Sequence, residues 1–470
     1  MNGILTFASL LVCAVIVFAV PTLVVPDARY YSLVTVFYTG KAILLSGAVA
    51  AVVGYFAFRQ RTNGPFLLKV FFIALLLRVM VGVAIFVFNG QDFFGGDALT
   101  YDSYGYAQSM GWAGDRYYQS VADAYVRGGL NPGWGMVYFV AAVYTLIGRN
   151  MLAIQCINAV MGAATAPIIF LSAHHIFQNI RVARLAAVAV ALYPSLVLWS
   201  SQGLKDGPIV FFLALSILAT LRIGEKFSVK YVLLLSCSLF ALLSLRFYVF
   251  YMIAVAIAGA LIVGMQKIST KSFFRQFIVI IFLGLSLTYL GVTRYANLQY
   301  ERFGSLQRVQ SSREDASTSA QSGFGKDVDV STTSGALSTI PIGLLYLLFA
   351  PFPWQVTSLR QTITLPEMII WWASFPMLIL GLWFSVRYRL RQISPILIFT
   401  IMLSLAYSVF QGNVGTAYRQ RAQLLVFYFI FIAVGYVLML EKREEKKRLE
   451  LAEKEALAAN RYPDPRQAVR

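Results

Sequence analysis

Long apolar runs separated by short polar stretches set the pattern of this chain. The runs cover approximately 4–25, 31–57, 66–89, 151–177, 184–201, 207–222, 229–245, 248–266, 276–292, 366–385, 393–410 and 422–440. Runs of about 17–25 residues cross roughly 30 Å of hydrocarbon as helix. They are continuous, without the apolar/polar alternation of a lipid-facing barrel strand, so backbone groups inside lipid are satisfied within helices. The pattern predicts an all-α integral membrane protein of about 12 transmembrane helices. Two shorter apolar stretches, 134–148 and 340–352, read as interfacial or re-entrant helices.

Composition supports this class. The chain is 59% hydrophobic and only 13% charged, against about a quarter charged in soluble domains. Its net charge of +18 follows the positive-inside rule and does not call for a nucleic-acid partner. One alternating set of loops carries Arg59, Arg61 and Lys69, then Arg181 and Arg184, then Arg222, Lys226 and Lys230. Lys267, Lys271 and Arg275 follow, then Arg387, Arg389 and Arg391. That set reads as cytoplasmic and puts both termini inside. Residues 1–440 then form the polytopic domain, and 441–470 a charged, helix-prone cytoplasmic tail. Residues 1–25 lack a basic n-region and read as a retained first span. Cys13, Cys156 and Cys237 lie in apolar runs, and the adjacent His174 and His175 read as interfacial.

The opposite face receives the unusual segments. These are the loop 90–133, "GLKDG" at 203–207, the Ser/Thr-rich 293–338, of which 305–338 reads as a lid or a linker, "PFPWQVTSLRQTITLPE" and "QGNVGTAYRQR". The first loop holds Asp92, Asp97, Asp102, Asp115 and Asp123. Gly95 and Gly96 allow a tight turn before Asp97, and "YDSYGYAQSM" reads as an aromatic-faced helix including Tyr101 and Tyr104. Asp97 reads either as an N-cap or as a general base at a low-dielectric interface. Lys205, Arg246, Arg360, Arg419 and Arg421 break the inside-positive pattern, and their donors suit a phosphate or pyrophosphate. Arg78 lies well inside an apolar run, where charge needs a cavity or a partner. Trp354, Trp371 and Trp372 read as interface-belt residues, with sugar stacking as the alternative. No phosphate-cradling loop, dinucleotide fingerprint or zinc helix is present.

The order of these pieces resembles the polytopic GT-C glycosyltransferases that use polyprenyl-phosphate-linked sugars. The bacterial branch with the lipid A aminoarabinose transferase and the protein O-mannosyltransferases is the nearest in pattern. The resemblance spans about 66–250: a span, an outer loop opening on Asp97 with Tyr101 after it, and the Pro-led "NPGWGMVYFVAAVYTLIGRN". "AIQCINAVMGAATAPIIFLSAHHIFQNIRVAR" and "LAAVAVALYPSLVLWSSQGLKDGPIVFFLAL" complete it. It implies that Asp97 is the catalytic base and Asp206 the second acidic position. Tyr101, Asp102, Lys205, Asp206, Arg246, Arg419 and Arg421 are then candidates for substrate binding. Ala98 stands where the family often has Glu, with Asp102 as the candidate substitute, which leaves use of a divalent metal open. The implied activity is inverting transfer from a polyprenyl-phosphate-linked sugar to an envelope glycan, lipid or protein acceptor on the outer face. Two alternatives stand beside it: a polymerase or ligase using a polyprenyl-pyrophosphate-linked oligosaccharide, and a lipid or solute transporter. No internal repeat is visible, which counts against transporters built on inverted halves.

Overall fold

The computed structural model describes residues 36–60, 62–88, 90, 91, 93, 96–126, 131, 133–263, 281, 284, 285, 288, 305–318, 323, 324, 328–356 and 358–461. The expected first span, Asp92 and most of 276–292 lie outside these residues. Fifteen helices and no strand occur among the described residues. In chain order they are α1 (Val36–Phe58), α2 (Gly64–Val87), α3 (Asp97–Trp112), α4 (Arg116–Val126), α5 (Trp134–Ile147), α6 (Met151–Phe177), α7 (Ile180–Leu192) and α8 (Pro194–Ser200). There follow α9 (Asp206–Glu225), α10 (Val229–Leu245), α11 (Phe247–Val263), α12 (Leu306–Thr318), α13 (Thr333–Phe349), α14 (Leu359–Phe410) and α15 (Val414–Arg461).

Five of these helices are long and apolar enough to cross a membrane: α2, α6, α9, α14 and α15. A sixth is added if α7 and α8, bent by 54°, are one broken span. The chain is an integral membrane protein, and the expected count of twelve spans is not confirmed. Several apolar runs form shorter helices: α10 and α13 have 17 residues each and α5 has 14.

At 52 residues, α14 is far longer than one bilayer crossing requires. Arg389 has non-helical torsions, φ −134° and ψ 20°. The arms on either side fold back on each other: Trp371 stacks on the Tyr428 ring at 6.2 Å, and Ser404 Oγ lies 3.2 Å from the Tyr428 hydroxyl. The runs 366–385 and 393–410 are therefore the two arms of one hairpin around α15. Close approach is possible because Gly381 and Gly435 face each other's backbones; a Cβ at Gly381 would lie 1.8 Å from the Phe431 carbonyl oxygen.

Arg78 is buried in α2 by a need of the neighbouring backbone. Pro194 has no N–H to offer the Val190 carbonyl, so α7 ends there with unsatisfied acceptors. Arg78 supplies the donors: Nη1 to Ala191 O at 2.7 Å, Nη2 to Val190 O at 3.2 Å, and Nε to Ser200 Oγ at 2.8 Å. A cation at a helix C-terminus also complements the helix dipole.

The bundle has two chemically distinct ends. Asn158, near the start of α6, donates to the carbonyls of Gln202 and Leu204, just before α9 begins. At the far end His175 lies 3.5 Å from Glu225, and Arg181 pairs with Glu444 at 3.0 Å. The helix continues through the charged, exposed run after Glu441.

Candidate active site

The acids of the first loop separate into four roles. Asp115 caps α4, accepting from the amides of Tyr117 and Tyr118 at 2.9 and 3.2 Å. Asp123 accepts from Gln119 on the surface of the same helix. Asp102 is buried on α3, where Tyr144 donates to Oδ1 at 2.5 Å and Arg149 donates to Oδ2 through both Nε and Nη2. That triad pins α3 to α5 and to the loop after it. Asp97 is the first residue of α3, one position past the N-cap Gly96. About half of it is exposed (53%).

Asp97 meets residues from distant parts of the chain. Arg419, on the first turns of α15, donates from Nη1 to Asp97 Oδ2 at 2.8 Å and from Nε to Asp206 Oδ2, also at 2.8 Å. Asp206 is the first residue of α9, 1% exposed, and takes a further contact from Arg246 Nη2 at 3.4 Å. One guanidinium thus bridges carboxylates at two helix N-termini, where the helix dipole favours negative charge. Trp199 lies under Arg419, 5.6 Å from the guanidinium carbon.

Lys205 and Tyr101 complete the group. The Lys205 ammonium is 5.8 Å from the Tyr101 ring centre. Both polar tips converge on the space a Cβ would take at Gly133, 2.9 Å from Lys205 Nζ and 3.1 Å from the Tyr101 oxygen. Gly133 has φ +87°, a left-handed conformation that glycine adopts without penalty. Lys205 has been drawn away from water, and burial together with the Arg246 and Arg419 charges pulls its ammonium down to about 7; Asp206 and Asp97 oppose the shift. Burial and the nearby Asp97 push the Tyr101 phenol upward, so it stays a neutral donor at ordinary pH.

Of the eight candidate residues, Asp97, Tyr101, Lys205, Asp206, Arg246 and Arg419 come together. Asp102 and Arg421 lie apart from them. Asp102 has both oxygens engaged by Tyr144 and Arg149, so it cannot replace the acid missing at Ala98. Arg421 is buried and donates to the carbonyls of Leu347 (2.7 Å) and Ala350 at the C-terminus of α13. Among the described residues no three His, Cys, Asp or Glu side chains gather as a metal site. The two neighbouring acids, Asp97 and Asp206, share an arginine, an arrangement that does not fit a divalent cation. Gly133 and Trp199 had no mark in the sequence as site residues. "NPGWG" announces a turn, but nothing in it says that two functional groups will fill the missing side chain's place.

A family model described as dolichyl-phosphate-mannose-protein mannosyltransferase matches residues 133–290. The matched segment includes Gly133, Lys205, Asp206 and Arg246, while Asp97, Tyr101 and Arg419 lie outside it. The match covers about a third of the chain; it supports a GT-C glycosyltransferase-like family and, with the apolar helices, a membrane glycosyltransferase. No curated protein matches the chain.

Proposed function

We propose that this protein transfers a sugar from a polyprenyl-phosphate-linked donor to a hydroxyl of an envelope acceptor, with inversion at the anomeric carbon. The observation that carries the reading is the single guanidinium of Arg419 bridging Asp97 and Asp206 beside Lys205. Asp97 is the half-exposed carboxylate of the group and takes the acceptor proton. The acceptor oxygen then bonds to the anomeric carbon, the bond from that carbon to the phosphate oxygen breaks, and its electron pair leaves on the phosphate.

The cations divide the remaining work. Arg419 and Arg246 are tied to Asp206 and set the position of both carboxylates. Lys205 stands beside the acids rather than bonded to them and supplies positive charge where the leaving phosphate gains negative charge. Tyr101 offers a neutral O–H at the same place. Holding a lipid-borne donor and an acceptor together in this geometry supplies rate through orientation, on the order of 7–11 kcal/mol in favourable cases.

Sidedness follows the same reading. The end opposite the site carries Arg181, Arg184, Arg222 and the charged tail, which supports an inside position for both termini and an outer-face reaction in a bacterial inner membrane. The lesser reading, a polymerase or ligase for pyrophosphate-linked oligosaccharides, relied on a pair of arginines at 419 and 421, and Arg421 is committed elsewhere. Purified protein in lipid nanodiscs, given a polyprenyl-monophosphate sugar and a polyprenyl-pyrophosphate oligosaccharide in parallel, distinguishes the two. We expect release of sugar from the monophosphate donor, without any ion gradient, and its loss in Asp97→Asn. Near-normal turnover in Asp97→Asn removes Asp97 from the role of base.

A further inference from the structure

Beside the start of α14 a column of rings runs from the interior to the surface. Its base is Arg313, 1% exposed, whose Nη1 donates to the Val409 carbonyl at 2.8 Å and whose guanidinium lies 5.6 Å from the Phe324 ring centre. Phe324 stacks on Tyr346 at 4.2 Å and 4°. Tyr346 meets Phe352 edge-on at 5.6 Å, and Phe352 stacks on Trp354 at 5.2 Å and 14°. Trp354 ends the column with 77% of its surface exposed. The column has its own small apolar cluster, Phe324, Ala350 and Val414, separate from the main core.

Several polar bonds hold the column still. The Phe324 amide donates to the Gly412 carbonyl at 2.8 Å, and Gln355 Nε2 donates to the Tyr346 hydroxyl at 3.1 Å. Arg421 grips the end of α13 through the Leu347 and Ala350 carbonyls. A tryptophan that only anchors a chain among lipid headgroups needs no such support. A ring with one face covered by Phe352, most of its surface open, and the Gln355–Tyr346 hydrogen bond in the same column suits a different partner. The C–H face of a pyranose is flat and apolar while its rim is polar, and prior ordering of the ring lowers the entropic cost of holding it.

The column stands at the site end of the molecule. Arg360, six positions after Trp354 in the chain, lies over the Phe93 ring at 5.2 Å, and Phe93 is four positions before Asp97. On α15, Arg419 faces the acids and Arg421 faces the column, about 200° apart around the helix. A sugar on Trp354 would lie on the other side of α15 from Asp97, so an occupant that engages both has more than one sugar unit.

We propose that Trp354, seated on Phe352, is a stacking subsite for a pyranose unit of an oligosaccharide acceptor, with Gln355 and Tyr346 as its polar flank. The role of that glycan as acceptor rests on the glycosyltransferase reading above; glycan binding by the column does not. The test uses the full chain in lipid nanodiscs and an array of neutral-hexose, N-acetylhexosamine and uronic-acid oligosaccharides. Wild-type protein binds at least one class, Trp354→Ala weakens that binding about tenfold, and Trp354→Phe keeps most of it. With the bound oligosaccharide as acceptor, Trp354→Ala raises its KM by a similar factor and leaves kcat and the donor KM unchanged. Failure of every transfer and hydrolysis assay with lipid-linked sugars sinks the glycosyltransferase reading alone, because array binding still reads the column. Absence of array binding by wild type, or equal binding by Trp354→Ala, overturns the subsite. So does quenching of Trp354 fluorescence by brominated lipid that oligosaccharide does not relieve, which assigns the ring to the bilayer interface.

Discussion

Asp97 and Asp102 sit five residues apart on one helix, and their surroundings could hardly differ more. Asp102 is buried, with one oxygen on Tyr144 and the other on Arg149. Asp97 is half exposed and shares an arginine with a second acid. A carboxylate with both oxygens directed at its own protein fastens helices together; one held from one side keeps capacity for an incoming hydroxyl. What distinguishes a structural acid from a chemical one here is what remains unsatisfied, since residue type and loop are the same.

The largest effect should come from exchanging the two in function. Asp97→Asn removes the proposed general base and should lower turnover about 10²–10⁴-fold while the melting temperature holds. Asp102→Asn should do the reverse. It leaves Arg149, a quarter exposed, without its anion and should cost about 2–4 kcal/mol of stability, seen as a lower melting temperature in detergent, with turnover per folded molecule close to normal. If Asp102→Asn lost turnover without losing stability, the contrast would collapse.

A pH series sharpens the same comparison from the side of the cation. The ammonium of Lys205 holds its proton only below about pH 7, so affinity for a phosphate donor should rise as pH falls through 7. Lys205→Met should be weak and nearly flat over that window in donor KM. The stability sign is opposite. Lys205 titrates lower in the folded chain than unfolded, so its charge costs stability in full below pH 7, and the cost fades as pH rises from there. Lys205→Met should therefore melt higher than wild type at pH 6, and higher still relative to wild type than at pH 9. The smallest effect is expected at Gly133→Ala. The new methyl group displaces the flexible tip of Lys205 and adds about 1 kcal/mol of left-handed strain, giving a few-fold higher donor KM with little change in kcat.

Much of this was open to reading from the residues. Apolar runs gave the membrane class, and basic residues on the loops opposite the inside-positive set included Lys205, Arg246 and Arg419. The two residues that went elsewhere, Asp102 and Arg421, were betrayed by helix geometry. Five residues on from Asp97 is about 140° around a helix, and two on from Arg419 is about 200°, so neither could share its neighbour's face. The number of crossings was harder, because composition cannot distinguish a 17-residue apolar helix that crosses a locally thinned bilayer from one that stops short of crossing. Nor can it show that Arg389 would fold α14 into a hairpin, or that Gly133 would stand between Lys205 and Tyr101. Those depend on contacts between segments far apart in the chain.

Arg78 has a consequence for how the protein is made. The run that carries it enters the bilayer during synthesis more than a hundred residues before the carbonyls of Val190 and Ala191 exist. Until then an unpartnered guanidinium near the middle of a span raises the cost of insertion by about 2.5–3.5 kcal/mol. If that cost leaves the span only provisionally integrated when it leaves the translocation machinery, the arrival of the broken α7–α8 segment commits it. Chains truncated before residue 180 should show a fraction of molecules with this span outside the bilayer, measurable by glycosylation mapping. Arg78→Leu should abolish that fraction in the truncated chain, yet leave the full-length protein with an uncapped bend at Pro194.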